Sequence, residues 1–205
     1  PGPSGKDKPT ALIIGGGIIG ASAAYALGKE GFACTLLEKG GWSREASTAA
    51  AGMLGAQVET HHPGPFYELC RSSQSLYRSW TEELEAATGM SAQYIDKGIL
   101  RAALTAEDEA ELRSRLPWIQ DAVWMEPQDM LELEPKLSPN VRGGLYFQAD
   151  HQVHPVWLTR TLRAALALQG CRIREDLAVN SLLIAPGSGA VIGVRTAEGE
   201  HYADR

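Results

Sequence analysis

The sequence predicts an α/β fold in which helices cover a parallel sheet, and three observations support this prediction. Residues 11–14 form a short apolar run, a glycine-rich turn follows, and an alanine-rich helical run continues to Gly28. A second apolar run, residues 32–37, begins after Gly31. Strand, helix and strand in this order are typical of a βαβ unit, whose two strands lie parallel.

The glycine-rich turn contains the pattern Gly15-x-Gly17-x-x-Gly20. Gly15 permits a tight turn, Gly17 lets the backbone approach a pyrophosphate closely, and Gly20 lets the helix press onto the strand. The first N–H groups of the helix and the positive end of its dipole then point at the phosphates. The pattern alone is weak evidence, but its flanking elements predict a Rossmann-like dinucleotide-binding site.

Glu38 ends the second predicted strand. A carboxylate about 20 residues after the glycines accepts hydrogen bonds from the two hydroxyls of an adenosine ribose. The alternative is a glycine-rich turn followed by an incidental surface glutamate, yet strand, turn, helix, strand and acid occur here in the required order. A carboxylate at this place also disfavours a 2′-phosphate, and therefore NADP.

Residues 46–56 are almost free of bulky side chains. Small residues let a backbone and a flat ligand come close, and Ser47 and Thr48 can cap a helix or offer hydroxyls to a phosphate. A plain alanine-rich helix start explains the composition equally well. The position directly after Glu38 favours a ligand-binding segment.

The rest of the chain alternates between helical and strand patterns, without an internal repeat or a linker. Helical spacing covers 63–88, a helix begins at the capping residue Thr105, and further helices are predicted at 126–135 and 156–168. Strands are predicted at 94–95, 98–104, 143–148, 171–174, 178–184, 191–195 and from 199, with a hairpin-type turn at 186–189. This order fits one nucleotide-binding domain with an inserted substrate region.

Composition excludes several classes of partner. The 205 residues are 44% hydrophobic and 21% charged, with a net charge of −6 and scattered basic residues, so we expect no nucleic-acid binding. No apolar run reaches the length of a membrane span, so we expect no membrane association. The polar first residues lack a signal-peptide core, which predicts a cytoplasmic protein, and residues 1–9 are expected to be a tag or a disordered start.

We expect no metal site. The pair His61 and His62 lacks further ligands at useful spacing, which favours loop histidines. Asp150, His151 and His154 resemble a catalytic or metal cluster, but their place just before a helix favours capping and loop hydrogen bonding.

Three blocks together resemble a known family: residues 11–20, Glu38, and the run Ser-Thr-Ala-Ala-Ala-Gly-Met-Leu-Gly-Ala at 47–56. They are similar to the amino-terminal part of glycine oxidases, flavoenzymes of thiamine biosynthesis in the D-amino-acid oxidase and sarcosine oxidase superfamily. The third block is the most specific. The resemblance implies a glutathione-reductase-type FAD-binding domain at 10–90 and 150–205, an inserted α+β substrate region at 91–149, and truncation at the C-terminus.

The resemblance also implies which residues hold FAD. These are Gly15, Gly17, Ile18, Ile19, Gly20, Glu38, Lys39, Ala46, Ser47, Ala51, Gly52, Met53 and Val179. In that scheme the N–H groups of Ile18 and Ile19 bind the pyrophosphate, and the backbone of Val179 meets the adenine.

The activity implied by the resemblance is oxidative deamination of glycine or another small amino acid, with O2 reduced to H2O2. No catalytic residue is assigned within the 205 residues, because the arginine that pairs with the substrate carboxylate belongs to the half of the family that this chain does not match. The implied partners are a small amino-acid substrate and O2, with a homo-oligomer when full length. The alternatives are an FAD-dependent dehydrogenase of a hydroxy acid or glycerol phosphate, or, for a fragment, an inactive nucleotide-binding module.

Overall fold

The computed structural model describes residues 8–205, so that residues 1–7 of the predicted tag or disordered start lie outside the described residues. The strands are β1 (Thr10–Ile14), β2 (Ala33–Leu37), β3 (Met53–Leu54), β4 (Ile99–Ala103), β5 (Ala122–Met125), β6 (Gly143–Phe147), β7 (His151–Gln152), β8 (Arg172–Arg174), β9 (Val179–Ile184), β10 (Val191–Thr196) and β11 (Gly199–Tyr202). The helices are α1 (Ile18–Lys29), α2 (Ala46–Ala49), α3 (Pro65–Thr88), α4 (Ala106–Arg115), α5 (Pro127–Leu133) and α6 (Pro155–Leu168).

The chain divides into two compact units. The first contains the described residues up to Ala51, together with Glu83–Ala92 and Pro155–Arg205. The second contains Gly52–Glu82 and Gln93–His154. The boundaries of these units differ from those of the predicted domains. Residues 52–82 belong to the second unit, whereas the prediction placed them in the FAD-binding domain. The assignment of 10–90 and 150–205 to FAD binding stays a prediction, because compactness reports packing and not ligand binding.

The first unit is built on a parallel sheet in the order β1-β2-β8. Ile14 pairs with Leu37, and Leu37 pairs with Arg174, so the three strands end at the same edge of the sheet. Helices α1 and α6 contact each other, and α1 also contacts β1 and β2. Burying Leu37 on β2 contributes about 1.5–3 kcal/mol, which is typical of a large apolar side chain removed from water.

A second, antiparallel sheet in the first unit has the order β11-β10-β9. The predicted turn at 186–189 is confirmed, since it joins the antiparallel strands β9 and β10. A small apolar cluster of Leu37, Leu177 and Val194 links this sheet to the parallel one. The parallel sheet also bonds to the last described residue: Leu12 N donates to Arg205 O (2.9 Å) and Arg205 N donates to Thr10 O (3.2 Å).

The second unit contains the antiparallel sheet β4-β6-β5 and the two-stranded pair β3-β7. Its core gathers buried residues from β6 and its neighbours, namely Val58, Ala103, Leu112, Leu145 and Phe147. The predicted helix start at Thr105 is confirmed by a capping box, in which the Thr105 hydroxyl accepts from Asp108 N and the Asp108 carboxylate accepts from Thr105 N. Within residues 8–205, no helix has the length and apolar character needed to span a bilayer.

Tyr25 on α1 provides a test of packing in the first unit. Its hydroxyl donates to Glu83 Oε1 (2.7 Å), while Lys29 Nζ donates to Glu83 Oε2 (2.7 Å). Burial, followed by the hydrogen bond to Glu83, raises the pKa of Tyr25 to about 12. This folded-state pKa of Tyr25 lies above the unfolded value of about 10. The contribution of the protonated Tyr25 hydroxyl to the free energy of unfolding is therefore complete below pH 10 and is lost as the pH rises to about 12.

We therefore expect Tyr25→Phe to be less stable than the wild type near neutral pH, by about 1 kcal/mol for one lost hydrogen bond. Its free energy of unfolding should fall less steeply than that of the wild type between about pH 10 and 12, since a phenyl ring does not ionise. Urea denaturation at a series of pH values measures both effects. Equal slopes in the two proteins over this interval would contradict the assignment.

Candidate functional site

The turn between β1 and α1 has the backbone geometry that its glycines permit. Gly15 has φ +100°, a conformation that L side chains rarely adopt, and its N–H donates to Leu37 O at the end of β2 (2.8 Å). A Cβ on Gly20 would overlap the carbonyl oxygen of Gly15 and lie 3.2 Å from its carbonyl carbon. Glycine at position 20 therefore lets α1 approach the turn closely.

The N-terminus of α1 is formed by Gly17 and lies beside the small side chain of Ser47. The helix has Gly17 as its N-cap, and Gly17 offers no side chain to cap it. The N–H of Ile18 donates to Ser47 Oγ (2.9 Å), and a Cβ on Gly17 would lie 3.1 Å from the same oxygen. Ile19, next on the helix, is 85% exposed. A helix N-terminus of this kind can bind an anion through its first N–H groups, and here the Ser47 hydroxyl already accepts from one of them.

Glu38 lies directly after β2, at the same edge of the sheet as the glycine turn. Its side chain is 8% exposed, and two backbone N–H groups hold it: Gly16 N donates to Oε2 (2.6 Å) and Gly40 N donates to Oε1 (2.9 Å). A carboxylate has about four acceptor positions, so two remain for other donors. This arrangement fixes the carboxylate while leaving it able to accept from hydroxyl groups of a ligand.

Gly16 is a site residue that the motif analysis passed over. A Cβ at this position would lie 3.2 Å from Glu38 Cβ, so a larger residue would press on the carboxylate that its own N–H holds. The sequence feature that could have indicated Gly16 is the uninterrupted run of three glycines from Gly15 to Gly17. The pattern Gly15-x-Gly17-x-x-Gly20 uses only the first and the third of them.

The loop after Glu38 carries the other predicted residues of the first unit. Lys39 Nζ pairs with Glu45 Oε1 (2.9 Å), and both side chains are mostly exposed. That contact raises the pKa of Lys39. Ala46 begins α2, which presents the Ser47 hydroxyl, and Ala51 is exposed at the end of this stretch. Exposed ion pairs of this kind are weak, so Lys39 is free to exchange Glu45 for a ligand.

Val179 begins β9 near the strand end that carries Glu38. Leu177 N donates to Glu38 O (2.8 Å), which ties the approach to β9 to the end of β2. Val179 packs against the cluster of Leu37, Leu177 and Val194. The structure thus brings Val179 to the same edge of the sheet as Glu38.

Gly52 and Met53 belong to the second unit. Gly52 has φ +87°, and its carbonyl accepts from Val153 N (2.9 Å). Met53 pairs with Gln152 in the β3-β7 ladder, and its side chain is 47% exposed. The small-residue run is therefore a short helix followed by a short strand, with a glycine between them.

The polar cluster before α6 is held by hydrogen bonds within the second unit. The buried Asp150 carboxylate accepts from Val58 N (2.7 Å) and from Gln74 Nε2 (2.7 Å), and His151 Nδ1 is hydrogen-bonded to the Tyr94 hydroxyl. These contacts show that Asp150 takes part in loop hydrogen bonding, which is the interpretation that the sequence favoured. In the described part of the chain, no three His, Cys, Asp or Glu side chains are grouped so that they could hold a metal ion.

The parallel sheet, the glycine turn at the N-terminus of α1 and the acid after β2 define a dinucleotide-binding α/β protein. Residues 10–205 match the family described as FAD dependent oxidoreductase (DAO). The chain belongs to this family, and FAD is the cofactor of the family.

Comparison with individual proteins confirms the predicted resemblance. The chain is 34% identical to the glycine oxidase of Bacillus licheniformis over 191 residues, which is 93% of this chain and 52% of that protein. It is 34% identical to the bifunctional protein ThiO/ThiG of Nostoc sp., over 93% of this chain and 30% of that protein. A crystal structure of glycine oxidase from Bacillus cereus ATCC 14579 superposes with a TM-score of 0.86 at 30% identity, covering 97% of this chain and 55% of that one. The FAD-binding α/β fold is thereby confirmed, and the chain spans about half the length of the glycine oxidases it matches.

Proposed function

We propose that this chain is the cofactor-binding part of an FAD-dependent oxidase of glycine or another small primary or secondary amino acid. The reaction converts the amino acid, O2 and water to the 2-oxo acid, H2O2 and ammonia (or, from a secondary amino acid, the corresponding amine), and serves thiamine thiazole formation. The observation that carries the proposal is the Glu38 carboxylate, held by Gly16 N beside the open N-terminus of α1 in a chain of this family. The similarity to glycine oxidases and to ThiO/ThiG supports the substrate class.

The residues of the first unit fit the ADP half of FAD. The N–H group of Ile19 donates to the pyrophosphate, which Gly17 allows to approach, and the N–H group of Ile18 exchanges the Ser47 hydroxyl for a phosphate oxygen, with Ser47 and Ala46 beside it. Glu38 accepts from the adenosine ribose and Lys39 lies next to the adenosine. The backbone of Val179 meets the adenine. Gly15 and Gly20 shape the turn, and Ala51, Gly52 and Met53 lie along the flavin.

Bound FAD supplies an acceptor for the hydride that leaves the substrate α-carbon and passes the electrons to O2. The task of the protein is to hold the neutral amine with its C–H bond correctly oriented and to exclude water. Small residues at 51 and 52 allow a flat ring to approach the backbone. No side chain of residues 8–205 is assigned a proton-transfer role.

Three arginines of this chain, Arg101, Arg142 and Arg160, have partners within the chain. Arg101 Nη1 donates to Val58 O (3.0 Å), Arg142 pairs with Glu109 (3.0 Å), and the Arg160 guanidinium lies 5.4 Å from the Trp157 ring centroid. We infer from the family resemblance that the arginine that pairs with the substrate carboxylate belongs to the half of the relatives that this chain does not match. We propose that residues 1–205 alone bind FAD but do not turn over.

The test has two arms. The 205-residue chain is titrated with FAD by flavin fluorescence, and the complete protein is assayed for H2O2 with glycine as substrate. We expect FAD binding in the first arm and peroxide formation in the second. A folded complete protein that cannot be reconstituted with FAD would refute the proposal. Electron transfer from a hydroxy acid or glycerol phosphate to a quinone, without reaction with O2, would favour the dehydrogenase alternative.

A further inference from the structure

A buried carboxylate that the proposed reaction does not use lies in the second unit. Asp150 is fully buried and directly precedes β7. Its Oδ2 accepts from Val58 N (2.7 Å) and Gln57 N (3.1 Å), and its Oδ1 accepts from Gln74 Nε2 (2.7 Å). A buried charge is costly unless donors surround it, so these three contacts account for its place in the fold.

Gln74 connects this carboxylate to the strand β3. Its Oε1 accepts from Arg71 Nη1 (2.7 Å), so its amide nitrogen must face the other way. That nitrogen donates to Leu54 O (2.8 Å) as well as to Asp150. Both amide protons are used, and the orientation of the side chain follows from the chemistry of its partners.

The backbone from Gly52 to Val58 is consequently held at three places. Val153 N binds the carbonyl of Gly52, Gln74 binds the carbonyl of Leu54, and Asp150 binds the N–H groups of Gln57 and Val58. The glycine at position 52 gives this segment little rigidity of its own. Its conformation is therefore imposed by the side chains of Asp150 and Gln74 and by pairing with β7.

We propose that Asp150 and Gln74 are positioning residues that fix the Gly52–Met53 backbone against the flavin. The inference rests on the proposed function, which places Gly52 and Met53 along the flavin. Asp150 and Gln74 act on that backbone through Leu54 and Gln57. A ring that must meet a backbone at close range needs that backbone held to within about 0.5 Å, which is the precision that supporting hydrogen bonds provide.

The experiment uses Asp150→Asn, Gln74→Met and the control Asp129→Asn, an exposed aspartate on α5 of the same unit. Asparagine keeps the shape of the side chain but has only one acceptor oxygen. If that oxygen faces Gln57 N and Val58 N, the NH2 group faces the donor Gln74 Nε2, and if it faces Gln74, the two N–H groups lose their acceptor, so either arrangement weakens the network. In the 205-residue chain, we expect the amides of Gln57 and Val58 to exchange hydrogen about tenfold faster in Asp150→Asn. In the complete protein, we expect the Kd for FAD to rise about tenfold in both variants, with displaced absorption maxima and midpoint potential of the bound flavin.

A purely structural role predicts a different pattern. It would lower the melting temperature of Asp150→Asn or Gln74→Met while leaving the Kd, the absorption maxima and the midpoint potential at wild-type values, and that pattern overturns the proposal. Gln74→Met removes the contacts of Gln74 with Arg71, Leu54 and Asp150 but leaves the bonds from Gln57 N and Val58 N to the Asp150 carboxylate in place, so it decides the question if Asp150→Asn does not fold. Failure of the wild-type complete protein to bind FAD refutes the proposed function. Unchanged exchange at Gln57 and Val58 together with an unchanged Kd for FAD in Asp150→Asn refutes the positioning role by itself.

Discussion

Replacing Gly20 with alanine should abolish FAD binding and destabilise the first unit. The added methyl group would overlap the carbonyl oxygen of Gly15 and lie 3.3 Å from Ile13 Cγ2. Both Gly15 and Ile13 lie in or beside β1, so α1 must move outward to relieve the overlap. The move displaces the N–H groups of Ile18 and Ile19, which we propose to bind the pyrophosphate.

The expected loss of stability from this overlap is at least about 3 kcal/mol, the upper part of the range for overpacking. For a chain of this size it corresponds to a fall in melting temperature of about 6–12 °C. We expect the Kd for FAD to rise more than about 100-fold, since the donors of the first helical turn are misplaced. Thermal unfolding followed by circular dichroism and FAD titration measure the two effects.

The matched control is Gly28→Ala, in the same helix. There the new Cβ would meet only the far end of the flexible Gln169 side chain, 3.1 Å from its Cδ. Alanine also has the higher helix propensity, by about 1 kcal/mol. We expect this variant to be at least as stable as the wild type and to bind FAD normally. Equal behaviour of the two glycine variants would contradict the close approach at Gly20.

Replacing Glu38 with alanine should have the second large effect. The variant loses the acceptor proposed for the ribose hydroxyls, and it leaves the N–H groups of Gly16 and Gly40 without the carboxylate that binds them. A buried donor without a partner costs about 1–3 kcal/mol. We expect the Kd for FAD to rise at least 100-fold, at about 1.4 kcal/mol for each factor of ten.

Glu30→Ala is the control for this prediction, because Glu30 is an exposed glutamate at the opposite end of α1. It should leave both stability and FAD affinity close to those of the wild type. Isothermal titration with FAD and with ADP separates the two halves of the cofactor. Glu38→Ala should weaken both ligands equally, whereas an effect confined to FAD would argue against a ribose contact.

Local sequence signals explain why the glycine turn and several helices and strands could be predicted. The positive φ of Gly15, the close approach at Gly20 and the capping box at Thr105 each depend on residues that are near one another in sequence. Hydrophobic periodicity likewise placed α3, β6 and α6 to within a few residues.

Features that depend on distant partners were not predictable in this way. β5, which covers Ala122–Met125, exists because it pairs with β6, and β3 and β7 have only two residues each. Short strands carry no periodicity that a sequence pattern can reveal. The same holds within the candidate site, where the bonds from Gly16 and Gly40 to Glu38 follow from how the loop closes.

The bonds between β1 and the last described residues have a consequence for how the protein is made. Thr10 N donates to Asp204 Oδ2 (2.8 Å) across a separation of 194 positions, and Arg205 bridges Thr10 and Leu12. At about 5–20 residues per second, β1 is synthesised about 10–40 s before Asp204. Throughout that interval β1, α1 and β2 can form local structure, but the outer edge of β1 stays open. Contacts of such long range make the closure of this edge a late and slow step of folding, and the open edge is where a chaperone would protect the nascent chain.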